Sequence, residues 1–338
     1  MGQEFLPGDT IMKTSTKTFG KVRKLRTWFL GLVFLAGLVY FVTHFRELEH
    51  FVRLLHQAKP LWLLAGLFVQ SLTYFSAAAV WQQTFLRAGV RYSLLSLVPL
   101  GIAKLFSDQA LPSGGMSGSA FLVASLNRRG IPPPLCMAML LTSMVAYYTA
   151  YLVAALSSIA LLWFYHAIKV WIVTVTGAFC VIAVIIPVGS LWLKRLGKQP
   201  SLPALLQRIP GLANVINNFN DSPGSLLKSP RLFIITSLLQ GTIFLLDAYT
   251  LKVMLNAVGQ DVSFLVAFPS FVVASVVATL SPIPLGLGTF EATCVALLSM
   301  LGVTLEAAFT ATLLLRGFTL WLPMIPGLWL TKLEMRCS

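Results

Sequence analysis

Apolar residues fall along this chain in long runs rather than in one-sided stripes. Six runs stand out, at about 28–45, 60–86, 135–164, 170–193, 232–255 and 305–330. Each meets the ~18–20 residues that a helix rising 1.5 Å per residue needs to cross ~30 Å of hydrocarbon. Two further apolar stretches, about 94–126 and 263–301, are broken near their middles. The first break is Leu111-Pro112-Ser113-Gly114-Gly115-Met116-Ser117-Gly118, and the second is Ser281-Pro282-Ile283-Pro284-Leu285-Gly286-Leu287-Gly288-Thr289-Phe290-Glu291. Proline removes a backbone donor and glycine loosens the chain, so neither stretch reads as one straight spanning helix. The pattern predicts an all-α polytopic membrane protein with about six spanning helices and two re-entrant helical hairpins.

The two breaks are related. Pro284 lies 172 positions after Pro112, and at that offset eight of the thirty residues from Pro112 to Leu141 are identical, including Pro112/Pro284, Gly114/Gly286 and Gly130/Gly302. Apolar bias does not account for a shared proline and two shared glycines. Paired, Gly/Pro-interrupted apolar segments in matching halves point to the central site of a transporter.

Charge orients these elements. The 338 residues are 57% hydrophobic and only 11% charged, with 25 Lys and Arg against 11 acids and a net charge of +14. With the N-terminus inside and both broken stretches re-entrant, most of the Lys and Arg collect on the cytoplasmic flanks, as the positive-inside rule requires. Only Arg46, Arg53, Lys59 and Lys169 fall outside, while Lys104, Lys252 and Arg316 sit within or beside apolar runs. The two span–hairpin–span units are then inverted relative to each other. The implied organisation is a basic cytoplasmic arm (1–27), a first membrane half (28–193), an amphipathic connector (194–229), a second half (230–331) and a short tail (332–338). Both termini are expected in the cytoplasm and the protein in a plasma (inner) membrane. The positive charge belongs to membrane flanks, and nucleic acid is not an expected partner.

Within the membrane, ionisable groups and broken backbone carry the candidate chemistry. Glu291 follows the second break in a first helical turn, where the helix dipole favours an acid. Arg316 lies inside the last run and needs an anion, either Glu291 or a lipid phosphate, which guanidinium binds bidentately. A static Glu291–Arg316 pair would serve the fold alone. Asp247 sits between Leu246 and Ala248 in mid-run, as a proton carrier or an alternative partner for Arg316. Asp108 precedes the first break with Lys104 one turn back, at salt-bridge spacing. Arg128, with Arg129, reads as an interface anchor, with attraction of headgroups as the functional alternative. Gly114, Gly115, Pro284, Gly286 and Gly288 allow close backbone approach and movement. Cys136, Cys180, Cys294 and Cys337 form no Cys-x-x-Cys or Cys/His cluster, so no metal, disulfide or cofactor is expected.

Pro282-x-Pro284-x-Gly286-x-Gly288-x-Phe290-Glu291, Leu301-Gly302-Val303, Leu315-Arg316-x-x-x-x-Trp321-Leu322-Pro323 and Gly327 together resemble the lysylphosphatidylglycerol synthase membrane-region family, also called flippase-like. Leu111-Pro112-x-x-Gly115 with Arg128 looks like that family's first motif, although Ser119 stands where an acid is common. The resemblance implies movement of a lipid or lipid-linked headgroup between leaflets, with membrane lipids as partners. It also implies relatives that carry a soluble synthase domain, which is not expected within these residues. The expected function is a flippase for an anionic or zwitterionic lipid headgroup. An integral-membrane transferase acting on a lipid-linked sugar or phosphate, a small-solute or ion transporter, and a homo-oligomeric assembly stay open.

Overall fold

The structure, a computed structural model, describes residues 59–110, 116–195, 223–227 and 229–336. The arm, the first expected run, Gly114, Gly115 and most of the connector lie outside them. Among the described residues the regular structure is entirely helical. It comprises α1 (Pro60–Arg87), α2 (Leu94–Ala110), α3 (Met116–Arg128), α4 (Pro133–Phe164), α5 (Val170–Arg195), α6 (Pro230–Ala257), α7 (Phe264–Leu280), α8 (Thr289–Met300), α9 (Leu305–Arg316) and α10 (Leu322–Arg336). A single turn at Gly224–Leu227 precedes α6, and a π-helical turn, Gly317–Trp321, joins α9 to α10.

Among the described residues, five helical segments are long and apolar enough to cross a membrane: α1, α4, α5, α6, and α9 continued through α10. They match the five later runs of the sequence pattern, and the protein is an all-α polytopic membrane protein. Start signals are local. Pro60, Pro133 and Pro230 each open a helix where the missing N–H has no intrahelical partner to lose. Ser229 and Ser263 cap α6 and α7 by accepting from Leu232 and Leu265 backbone N–H. The last helix continues to Arg336, so residues 332–336 extend a helix where the sequence suggests a tail.

The helix plan of the first half recurs in the second at the same 172-residue offset. Shifting α1, α2, α3 and α4 by 172 gives 232–259, 266–282, 288–300 and 305–336, within two residues of α6, α7, α8 and the α9–α10 unit. Turns recur too. Gly130 and Gly302 both adopt positive φ (82° and 95°), and Ile131 N–H bonds Leu126 O at 3.1 Å as Val303 N–H bonds Leu298 O at 3.0 Å. The equivalent helices α1 and α6 form the most extensive helix pair. They run antiparallel, since Lys59 N–H donates to Ala257 O (3.1 Å) at one end and Gln70 meets Asp247 (3.4 Å) further along.

Each broken stretch is a pair of short helices packed on each other: α2 with α3, and α7 with α8. At 17, 13, 17 and 12 residues, each is shorter than a bilayer-spanning helix requires. α7 is buried continuously from Val266 to Ala274. Glycine sets the closest approaches. A Cβ on Gly118 would lie 2.5 Å from the Lys104 carbonyl oxygen, and one on Gly327 would lie 2.6 Å from Phe106 Cβ. The first keeps α3 against α2, and the second lets α10 lie on α2.

Replacing Gly118 or Gly327 with Ala is expected to destabilise the fold by about 1–3 kcal/mol through overpacking. Gly177→Ala, whose Cβ would meet open space, is expected to be neutral or mildly stabilising because Ala favours helix by ~1 kcal/mol. Thermal unfolding in detergent separates the two outcomes.

Candidate functional site

The second break is built by turn chemistry and then clamped. Ser281 follows the end of α7 as its cap, and its Oγ accepts from Ile283 N–H at 3.1 Å. A 3₁₀ turn, Pro284–Gly286, follows, with Leu285 at φ 59° and Gly286 at φ 61°. Leu285 thus holds a conformation that costs a side-chain-bearing residue roughly 1–2 kcal/mol. Gly286 has no substitute there, because a Cβ would fall on Ala278 of α7, 2.9 Å from its Cα. Gly288 (φ 78°) starts α8, and Glu291 Oε2 accepts from Gly288 N–H at 2.6 Å. Thr289 Oγ1 donates to Gly286 O at 2.9 Å, so the turn's polar groups find partners within the break.

Arg316, at the end of α9, reaches this turn. Its Nε donates to Glu291 Oε1 at 2.5 Å and its Nη2 to Leu285 O at 2.9 Å. Its guanidinium carbon lies 4.9 Å from the centre of the Phe290 ring. Both side chains of the ion pair are largely buried, 12% and 16% exposed. One guanidinium therefore meets a charge, a carbonyl on the strained residue and an aromatic face. The π turn begins at the next residue, Gly317. Such turns are rare and widen a helix locally. Pro323 and Pro326 remove two further donors just beyond it.

The first break carries a related arrangement from different residues. Lys104 Nζ pairs with Asp108 Oδ2 at 2.6 Å. Asp108 Oδ1 accepts from Gly118 N–H at 2.8 Å, and Ser117 Oγ donates to Ser107 O at 2.8 Å. In both breaks a carboxylate satisfies an orphan N–H at the start of the second short helix, and a cation holds that carboxylate.

A cavity of about 480 Å³ is lined by α1, α2, α3, α4, α6 and the π turn. Its charged walls are Lys104 and Asp247, and Gln70, Gln240, Tyr74 and Tyr147 are among its polar ones. Asp247 Oδ1 accepts from Gln70 Nε2 at 3.4 Å, and Gln70 Oε1 accepts from Thr250 Oγ1 at 3.4 Å. Tyr74 Oη and Ser143 Oγ, both buried in the wall, have no hydrogen-bond partner among the described residues. Tyr147 stacks edge-on to Tyr151, whose hydroxyl lies 3.3 Å from Thr279 Oγ1 of α7.

The candidate residues therefore separate. Glu291 and Arg316 are paired with each other at the second break, with Pro284, Gly286 and Gly288 in the adjoining turn. None of these five lines the cavity. Asp247 does, and its hydrogen-bond partner is Gln70 rather than Arg316. Asp108 stands behind the cavity-lining Lys104. Arg128 is at the exposed end of α3, donating to Ser125 Oγ at 3.2 Å. Its neighbour Arg129 makes the longer-range contact, a two-pronged pair with Glu334 at 3.1 and 2.7 Å. Sequence reading assigned no site role to Gln70, Tyr74, Lys104, Ser143 or Gln240. The available signal was polar or charged side chains inside apolar runs.

The match to the lysylphosphatidylglycerol synthase TM region covers residues 28–327, which includes both breaks, Asp247 and Arg316. The chain belongs to that family. Membership makes it a membrane protein with a lipid-related role. No curated protein matches the chain.

Removing one member of the buried Glu291–Arg316 pair strands the other and is expected to cost about 3–5 kcal/mol. Arg316→Met should be the more severe single change, because it also releases Leu285 O. The double variant Glu291→Gln/Arg316→Met should lose less than the sum of the singles. Unfolding curves in detergent for the three variants measure that coupling.

Proposed function

We propose that the protein moves an anionic or zwitterionic lipid headgroup between the two leaflets, using the cavity as its transit site. The observation that carries this reading is a cavity of about 480 Å³ inside an apolar helical bundle, with Lys104, Asp247 and buried hydroxyls among the described residues of its wall. Intramembrane ionisable groups facing a cavity mark a substrate path. A headgroup phosphate would engage Lys104, and a cationic or hydroxyl portion would face Asp247, Tyr74 and Tyr147. The acyl chains would stay in lipid, so the cavity need hold only the polar end.

The helix plan supports a transport mechanism. We read the two halves as an inverted repeat, because the equivalent helices α1 and α6 run antiparallel. In this reading the two short-helix pairs are re-entrant hairpins from opposite faces, whose rocking alternates access to the cavity. The ion pairs act as latches. Phosphate arriving at Lys104 competes with Asp108 and loosens the cap of α3. Opening of the second break frees Arg316 from Glu291 and presents a second phosphate ligand. Arg128 lies at the outer end of the first pair, where it attracts headgroups. The termini are cytoplasmic and the host membrane is a plasma (inner) membrane in this arrangement.

In proteoliposomes, fluorescent phospholipid should become accessible to a membrane-impermeant quencher faster than in protein-free vesicles. Lys104→Gln and Asp247→Asn should each slow that transfer at least tenfold in folded protein. Transfer unchanged in both variants would remove the cavity from the mechanism. Product formed from donor and acceptor lipids, without leaflet exchange, would favour a transferase instead.

Topology is separately testable. Single cysteines at Ser113 and Ile283, in an otherwise cysteine-free chain, should react with an impermeant thiol reagent from opposite faces of the membrane. Labelling of both from the same face would refute the inverted arrangement.

A further inference from the structure

The seam between α1 and α6 is closed differently at its two ends. At one end the protein closes it, through Lys59 N–H to Ala257 O at 3.1 Å. At the other end the helices leave a separate pocket of about 190 Å³, walled by Gln83, Leu86 and Arg87 of α1 and by Arg231, Leu232 and Ile235 of α6. Arg87 is the last residue of α1 and Arg231 the second of α6, so each antiparallel helix brings one guanidinium to the same opening. Neither has an acidic partner among the described residues. Two like charges facing one pocket repel each other, and an anion between them relieves that repulsion.

Position identifies the class of anion. Both helices are 28 residues long, about 42 Å at 1.5 Å per residue, against ~30 Å of hydrocarbon. Their ends therefore lie at headgroup depth, with the exposed Leu86 beside the pocket where acyl chains begin and Leu232 anchored in the core behind it. Its volume is several times the ~30 Å³ share of one water, which admits a phosphodiester but not a large soluble ligand.

We propose that Arg87 and Arg231 bind the phosphate of a net-negative phospholipid, which staples α1 to α6 at the end where the described residues leave this pocket. Guanidinium is suited to the task because its fork matches two phosphate oxygens. Gln83 supplies an amide beside them. Basic pockets between transmembrane helices are known lipid-headgroup sites in general. A choline headgroup is disfavoured because it would bring a third cation into the pocket. The site shares no residue with the cavity proposed for transit, and its lipid is a structural ligand rather than cargo. Because α1 and α6 are the equivalent helices of the two halves, occupancy would stiffen the seam between them.

The test uses the full chain in detergent, followed by thermal unfolding during titration with phosphatidylglycerol, phosphatidylcholine or inorganic phosphate. Phosphatidylglycerol should raise the unfolding temperature saturably, while phosphatidylcholine and inorganic phosphate should not. Arg87→Gln/Arg231→Gln should weaken the phosphatidylglycerol effect at least tenfold, and Arg87→Lys/Arg231→Lys should retain part of it. Native mass spectrometry of each single Arg→Gln variant gives retained lipid directly, should the double variant fail to fold. Wild-type phosphatidylglycerol affinity in the Arg→Gln variants would overturn the proposal and leave the arginines as interfacial anchors. An equal shift with inorganic phosphate would overturn the lipid assignment in favour of a free anion. None of these readouts depends on lipid transfer, so the site and the transport mechanism fail or stand independently.

Discussion

A helix interrupted at membrane depth exposes backbone groups that no water is present to satisfy, and this constraint shapes the structure most. The protein meets it with side chains drawn from both sides of each interruption. At the second break, Ser281, Thr289 and Glu291 take up local donors and acceptors, and Arg316 arrives from 31 residues beyond Leu285 to bind its carbonyl. At the first break, Asp108 and Ser117 tie α3 back onto α2. Unsatisfied backbone in lipid costs several kcal/mol per group, so these contacts are conditions for the break to exist.

Charge placement follows from the same economy. A lone ion in the bundle would be costly, and two of the embedded carboxylates are neutralised by a cation while also capping a helix. Asp247 differs: its hydrogen-bond partner is an amide, and its surroundings are a cavity. Lys104 belongs to both settings, paired with Asp108 and lining the cavity. That double position makes Lys104 a physical link between what occupies the cavity and how the first break is held. The second break is linked through covalent continuity, since Thr319 of the π turn lines the cavity three residues after Arg316.

The α1–α6 seam is the common wall of these features. It contributes Gln70, Tyr74 and Asp247 to the cavity, joins the two halves, and ends in the two-arginine pocket. Small residues elsewhere, Gly118 and Gly327 above all, hold the surrounding helices at fixed close contact.

Hydrophobic run length by itself determined the class of this protein and the helices that are long enough to span, because the bilayer imposes a length that any sequence can be read against. The 172-residue repetition, the positions of both breaks and the Lys104–Asp108 pair were also local in sequence, since prolines, glycines and i, i+4 spacing act at short range. Which charges meet across distance depends on how the helices pack. The tertiary structure gave Arg316 to Glu291 and left Asp247 with Gln70, a choice set by the relative rotation of packed helices, which no run length encodes. The cavity was hidden for the same reason. Gln70, Tyr74, Lys104, Ser143 and Gln240 come from four helices, and only packing turns these polar residues of separate apolar runs toward one space. The π turn was equally invisible, because it arises where a clamped arginine, a glycine and two prolines must be reconciled with one continuous helix.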